Sequence, residues 1–171
     1  VVKARLATVI MVLMVVVMGL FLVVLSVDGA DQPSFALGIT ISKLWVPESS
    51  EGLGMLGGAL DIILTPTVSM TVGYSTASVS FLGFEIASLW ILDIATVVET
   101  TPEAMAGLYV MGGGGYMEAS VLGMSAGGVF LGGGVGLRIS PTGYARLFIQ
   151  YKMRWIESLM NAVEGGFSIV F

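Results

Sequence analysis

The chain of 171 residues contains no cysteine and no histidine. Thiolate nucleophiles, Ser-His-Asp triads, His-paired bases and zinc clusters are excluded together. Lack of cysteine leaves the redox compartment unread and is compatible with an oxidising periplasm. Charge is also scarce, at 11% of residues, with 7 Lys and Arg against 12 Asp and Glu and a net charge of −5. No basic tract is present to meet phosphates, which argues against nucleic acid as a partner. The glycine runs Gly112–Gly115 and Gly132–Gly134 lack the Lys-Ser/Thr that grips a nucleotide phosphate. No cofactor and no metal is expected, and the chain reads as non-enzymatic.

Apolar residues are what the chain has in excess. They make up 56% of it, and the mean hydropathy of +0.95 is far beyond what the core of one soluble domain needs. Such a chain expects lipid. Lys3 and Arg5 precede an unbroken apolar run from Ala7 to Val27, followed by Asp28, Gly29, Asp31 and Gln32. This is the order of a secretory signal, with Val27-Asp28-Gly29 as a cleavage site, yet the run is long enough to span a bilayer as a helix. Residues 1–30 therefore read as a signal peptide or a membrane anchor, and 31–171 as one domain.

After Pro33 the pattern alternates with period two, the mark of strands with one face in lipid. In Tyr144–Ile156 one parity holds Leu147, Ile149, Tyr151, Met153 and Trp155, and the other Arg146, Phe148, Gln150, Lys152 and Arg154. A helix would scatter these charges around its circumference, which disfavours a helical inner-membrane protein, whereas a strand gathers them on one face. The same alternation runs through Phe35–Ser42, Leu53–Leu64, Val68–Ser75, Phe84–Val98, Met105–Ala119, Val129–Ile139 and Val163–Phe171, with a parity slip near Ala77. The expected fold is all-β: an eight-stranded antiparallel up-and-down transmembrane barrel, preceded by the hydrophobic helix. Pro66, Pro102 and Pro141 mark turns at one end, since proline cannot donate to a ladder. Pro47–Gly52, Ala77–Gly83, Ser120–Gly127 and Glu157–Ala162 then read as longer outer loops. Trp45 and Trp155 fall near the outer rim, and Phe35 and Phe171 near the other, as an aromatic girdle.

Parity also places Asp61, Glu85, Asp93, Glu118 and Glu164 inward, where they are expected to neutralise Arg138, Arg146, Lys152 and Arg154. In this network Glu164 is the adjacent partner of the strand bearing Arg146, Lys152 and Arg154, and the other carboxylates approach from across the barrel. Catalytic carboxylate pairs need a substrate-sized cleft, and a barrel this narrow fills its lumen with side chains. The inward glycines leave room for bulky neighbours such as Phe130, Phe148 and Tyr116.

Three strings, Gly107–Tyr116 (GLYVMGGGGY), Gly132–Pro141 (GGGVGLRISP) and Phe148–Lys152 (FIQYK), together with the final GGFSIVF, resemble the small outer-membrane β-barrel proteins related to the membrane domain of the OmpA-like porins. The resemblance covers roughly Ser34 to Phe171. It implies an outer-membrane location, lipid and the outer-membrane assembly machinery as partners, a monomer, and an assembly signal carried by Phe167, Ile169 and Phe171. It supplies no catalytic residues, and no peptidoglycan-binding domain is expected after Phe171. The expected function is a non-catalytic barrel with a filled lumen, serving envelope structure or outer-loop interaction; the alternative is a narrow pore for ions or small apolar molecules.

Overall fold

The computed structural model describes residues 34–48, 51–81, 84–101 and 104–171; the segment read as signal or anchor, and Pro33 and Pro102, lie outside the described residues. Eight strands follow in order: β1 (Ser34–Trp45), β2 (Leu53–Ile63), β3 (Val68–Phe81), β4 (Phe84–Glu99), β5 (Ala106–Val121), β6 (Met124–Thr142), β7 (Ala145–Trp155) and β8 (Leu159–Val170). Each pairs antiparallel with its neighbour in sequence, and β8 returns to β1, closing the barrel. Just beyond β8, Phe35 and Phe171 exchange both backbone hydrogen bonds, so closure continues to the last residue. A closed ladder has no unpaired edge to expose to hydrocarbon, the condition every lipid-spanning backbone must meet.

The alternation places apolar side chains on the outside. Leu37, Ile39, Ile41, Leu108, Val110, Leu131, Val135 and Ile149 are all exposed, Ile39 to 67%. A soluble protein scatters such residues singly, whereas here they form a belt on β1, β5, β6 and β7. Met70, Val72 and Tyr74 of β3 also keep the expected outer parity, opposite Thr96, Ile94 and Leu92 of β4.

The ends of the barrel differ from the sequence reading. Pro47–Gly52 lies in the β1–β2 connection, but Ala77–Gly83, Ser120–Gly127 and Glu157–Ala162 are not long loops. Their Ser, Gly and Ala content resembles loop composition, yet ladder pairing carries most of them as strand. The β5–β6 turn is Leu122-Gly123, both with positive φ, at 50° and 81°. Two consecutive left-handed residues match the twist of a two-residue hairpin, a place where Asn-Gly is the usual pair. Pro66 sits in the β2–β3 turn as expected, but Pro141 lies within β6, where the register to β7 shifts between Ile139 and Thr142. An irregularity of this kind accommodates a residue that cannot donate to the ladder. The parity slip foreseen near Ala77 occurs at Val79/Ser80.

Inward glycines stand directly across from aromatic rings: Gly115 from Phe130, Gly136 from Tyr109 and Gly166 from Phe148. A Cβ on any of the three would run into the facing ring. Tyr116, expected inside, faces outward and lies over Gly127, because it shares the parity of Leu92 and Val129.

Overpacking is therefore the sensitive perturbation here. Gly136→Val is expected to destabilise the barrel by about 1–3 kcal/mol, read as a shift of the urea unfolding midpoint in lipid vesicles. Trimming the ring in Gly136→Val/Tyr109→Leu should recover part of that loss; no recovery would refute the ring-on-glycine account.

Candidate functional site

Inward parity on eight strands converges on a lumen with three layers. At the end away from the termini, Leu44, Met55, Leu89, Ile91, Met117, Phe130 and Ala162 form a buried apolar cluster, with Leu53, Ala77, Ile156 and Met160 packed against it. Ile91 is 1% and Phe130 2% exposed. The sequence reading attended to charge and missed this layer, although the outward and inward sets of β4 are both apolar and signal a strand buried on two faces.

Below it lies a buried ionic layer. Arg154 donates to Asp93 at 2.6 Å through Nη2, and its guanidinium sits 5.6 Å from the centre of the Phe130 ring, at the boundary with the apolar layer. Lys152 Nζ reaches Asp93 at 3.4 Å and Glu164 at 3.2 Å. Gln150 Nε2 donates to Glu164 at 2.7 Å, and its Oε1 accepts from the Tyr109 hydroxyl at 2.7 Å. The chain from Tyr109 through Gln150, Glu164, Lys152 and Asp93 to Arg154 thus crosses the barrel with every step hydrogen-bonded. Such pairing is what makes buried charge tolerable, because an uncompensated ion in this setting costs several kcal/mol.

The third layer faces the end that carries the termini. Arg138 pairs with Glu99, and Asp61 accepts a hydrogen bond from Thr71 Oγ1 at 2.6 Å. A cavity of ≈ 50 Å³ is lined here by Asp61, Thr71, Glu99, Tyr109, Arg138, Arg146, Phe148 and Ser168, among others. At ~10–15 Å³ of such volume per water, it has room for about four.

Of the charges expected in the network, Asp61, Asp93, Arg138, Arg146, Lys152, Arg154 and Glu164 do line the lumen. The partners differ from the expectation: Arg154 turns to Asp93, and Arg138 to Glu99, a residue the sequence reading left in a turn. Glu99 was findable, since it continues the odd parity of Asp93, Ala95 and Val97. Arg146 lines the cavity without joining the hydrogen-bonded chain. Glu118 is not in the lumen: it pairs across from Trp90 on the outer face, where Tyr116 donates to it at 3.4 Å. Glu85 lies past the shift at Val79/Ser80, which sets it across from Ser80 on the outer parity, and it stands exposed at the rim, too far along β4 to reach the cations. Four carboxylates, Asp61, Asp93, Glu99 and Glu164, therefore face four cations, and the formal charges of the lumen cancel.

On the outer surface Trp45 packs against Tyr151 with ring centroids 6.3 Å apart, and Tyr151 donates to Asn161 at 2.7 Å. Trp90 and Tyr116 pack with ring centroids 5.3 Å apart and planes tilted by 40°. With the exposed Trp155 they make a ring of amphipathic aromatics wider than the expected Trp45, Trp155 and Phe35 alone, and Phe35 and Phe171 do lie together at the opposite end. Among the described residues no group of three or more Asp and Glu is placed to hold a metal ion.

No family model matches the chain, and no curated protein matches it. Solved structures do. The Neisserial surface protein A superposes with a TM-score of 0.64 at 13% identity, covering 83% of this chain and 99% of its own. The N-terminal β-barrel domain of Pseudomonas aeruginosa OprF gives 0.62 at 14%, covering 82% and 100%. The attachment invasion locus protein Ail of Yersinia pestis gives 0.55 at 14%, covering 81% and 97%. The fold is that of the small eight-stranded outer-membrane barrels.

The pairing makes a quantitative demand. Asp93→Asn, which leaves Arg154 and Lys152 short of a counter-charge, is expected to cost about 3–5 kcal/mol of unfolding free energy, and Asp93→Leu/Arg154→Met far less. Glu85→Gln and Glu118→Gln, outside the network, should each stay within about 0.5 kcal/mol. A loss below about 1 kcal/mol for Asp93→Asn would mean that water screens the lumen charges.

Proposed function

We propose that the chain is a non-catalytic, integral barrel of the outer membrane with a plugged lumen, serving envelope structure or interaction through its outer end. The observation that carries this reading is the pairing of a lipid-facing exterior with a neutral, hydrogen-bonded interior capped by an apolar layer. The end bearing Ser34 and Phe171 faces the periplasm, and the Leu122-Gly123 turn faces outward. Each lumen carboxylate is engaged by a cation or a hydroxyl, which supports a structural rather than a catalytic role. Because the outer connections are shorter than expected, contact with partners falls to the hairpins themselves.

A narrow pore is the second reading, favoured by the ≈ 50 Å³ cavity at the periplasmic side, which Asp61, Glu99, Arg138 and Arg146 help to line. An ion leaving that cavity would have to shed its water among Leu89, Ile91, Met117 and Phe130, at a desolvation cost of several kcal/mol. Steady porin-like conductance in a planar bilayer would decide for the pore; silence, with heat-modifiable migration on a detergent gel and a sheet spectrum, is the outcome expected of the plug. Glu164→Gln should lower stability in a plug and leave it unchanged in an open pore.

Assembly rests on the closing strand. Phe167 and Ile169 face outward from β8, and Phe171 ties the chain back to Phe35, so these three offer an apolar edge to the assembly machinery before closure. Phe167→Ala/Phe171→Ala is expected to reduce the amount recovered in the outer membrane several-fold. Normal yield there would remove the assembly-signal reading.

A further inference from the structure

Strands β3 to β6 rise above the rest of the barrel. The β2–β3 ladder stops at Leu56–Thr76 and the β6–β7 ladder starts at Leu131–Trp155, so 77–81 and 124–130 continue past their neighbours. At ~3.3 Å per residue the longer of these runs on for about 20 Å. The register across this projecting sheet is unusually informative. One row of directly paired residues is Ser78, Ser88, Ser120 and Ser125, all on the outer face. The adjoining row is Val79, Ala87, Val121 and Met124, and the next on the same side is Ala77, Leu89, Ala119 and Ala126. These two rows have the parity of the lumen.

The sheet is thus amphipathic in a sense opposite to the membrane belt beneath it. Its serine face has left the hydrocarbon above Trp90 and Tyr116, and its apolar face looks toward the barrel axis. Bilayer lipid cannot cover that inner face. Val79, Val121 and Met124 are exposed, Met124 to 75%, and the surface runs without interruption into the apolar layer at Leu89 and Met117. On the opposite side of the mouth β2 starts only at Leu53 and β7 ends at Trp155. The same end is acidic: Glu48, Glu51, Glu85, Glu118 and Glu157 lie there with Lys43 as the single cation among the described residues. A second copy would bring the same excess of negative charge to the face and is disfavoured.

We infer that this half-open apolar wall, faced across the mouth by carboxylates, docks a cationic amphipathic peptide segment of a partner, its apolar side on Val79, Val121 and Met124 and its Lys or Arg side toward Glu48 and Glu157 of the β1–β2 and β7–β8 connections. The inference goes beyond the structural role proposed above and requires only an inserted barrel. Charge complementarity selects the sign of the partner and speeds encounter, while the apolar contact holds it.

The test uses the whole protein in phosphatidylcholine vesicles, with a dansyl-labelled Leu/Lys amphipathic peptide and its Leu/Glu counterpart as probes, and protein-free vesicles as the blank. The Leu/Lys peptide is expected to bind above the blank. Val121→Ser/Met124→Ser should weaken it at least tenfold, and Glu48→Gln/Glu157→Gln several-fold with a shallower salt dependence. Heat-modifiable migration of each variant separates loss of the site from loss of the fold, and failure of the wild type to show it would strike the barrel reading instead. Equal binding of the Leu/Glu peptide, binding no higher than the blank, or affinities within twofold for both variant pairs would overturn the inference.

Discussion

Hydrocarbon offers no hydrogen-bond partner to a peptide group, and a chain of strands meets that condition only by closing on itself. Much else in this molecule descends from that closure. Eight strands make a ring so narrow that inward side chains meet at the axis. Charges drawn into so narrow a space favour counter-charges close by. Asp61, Asp93, Glu99 and Glu164 stand one for one against Arg138, Arg146, Lys152 and Arg154, and the net negative charge of the described residues lies at the rim away from the termini.

Narrowness also explains the glycines. Tyr109, Phe130 and Phe148 occupy the space that side chains at Gly136, Gly115 and Gly166 would fill, each ring covering the bare backbone of the next strand. Large and small residues thereby alternate around the circumference rather than along a strand. The Tyr109 hydroxyl then reaches Gln150 and begins the polar chain, so the packing that fits the rings also aims the hydrogen bonds.

Much of this was legible in the sequence because period two is a geometric fact of the strand. The strand count, the inward set of β7 and the outward belt follow from alternation alone. Alternation carries no information on which strand lies at what height, and there the reading failed. Stagger between strands put Glu85 above the lumen and Glu99 within it. A run of four glycines has no side chains by which to count parity, so Glu118 was assigned to the wrong face. The Ser, Gly and Ala composition of 120–127 suits a loop and an exposed hairpin equally, and only pairing distinguishes them.

The tight turn at Leu122-Gly123 bears on how such a barrel enters its membrane. If the terminal end stays behind, the tips of the hairpins are the first parts to traverse hydrocarbon. The tip of the β5–β6 hairpin, Val121-Leu122-Gly123-Met124, carries no ionisable group. A leucine held at a φ of 50°, where asparagine would sit more easily, gives up some comfort in the finished structure and keeps an amide out of the oil on the way across. The carboxylate of Glu118 follows only after this tip has arrived, so the longest hairpin of the barrel leads its crossing with residues that hydrocarbon dissolves.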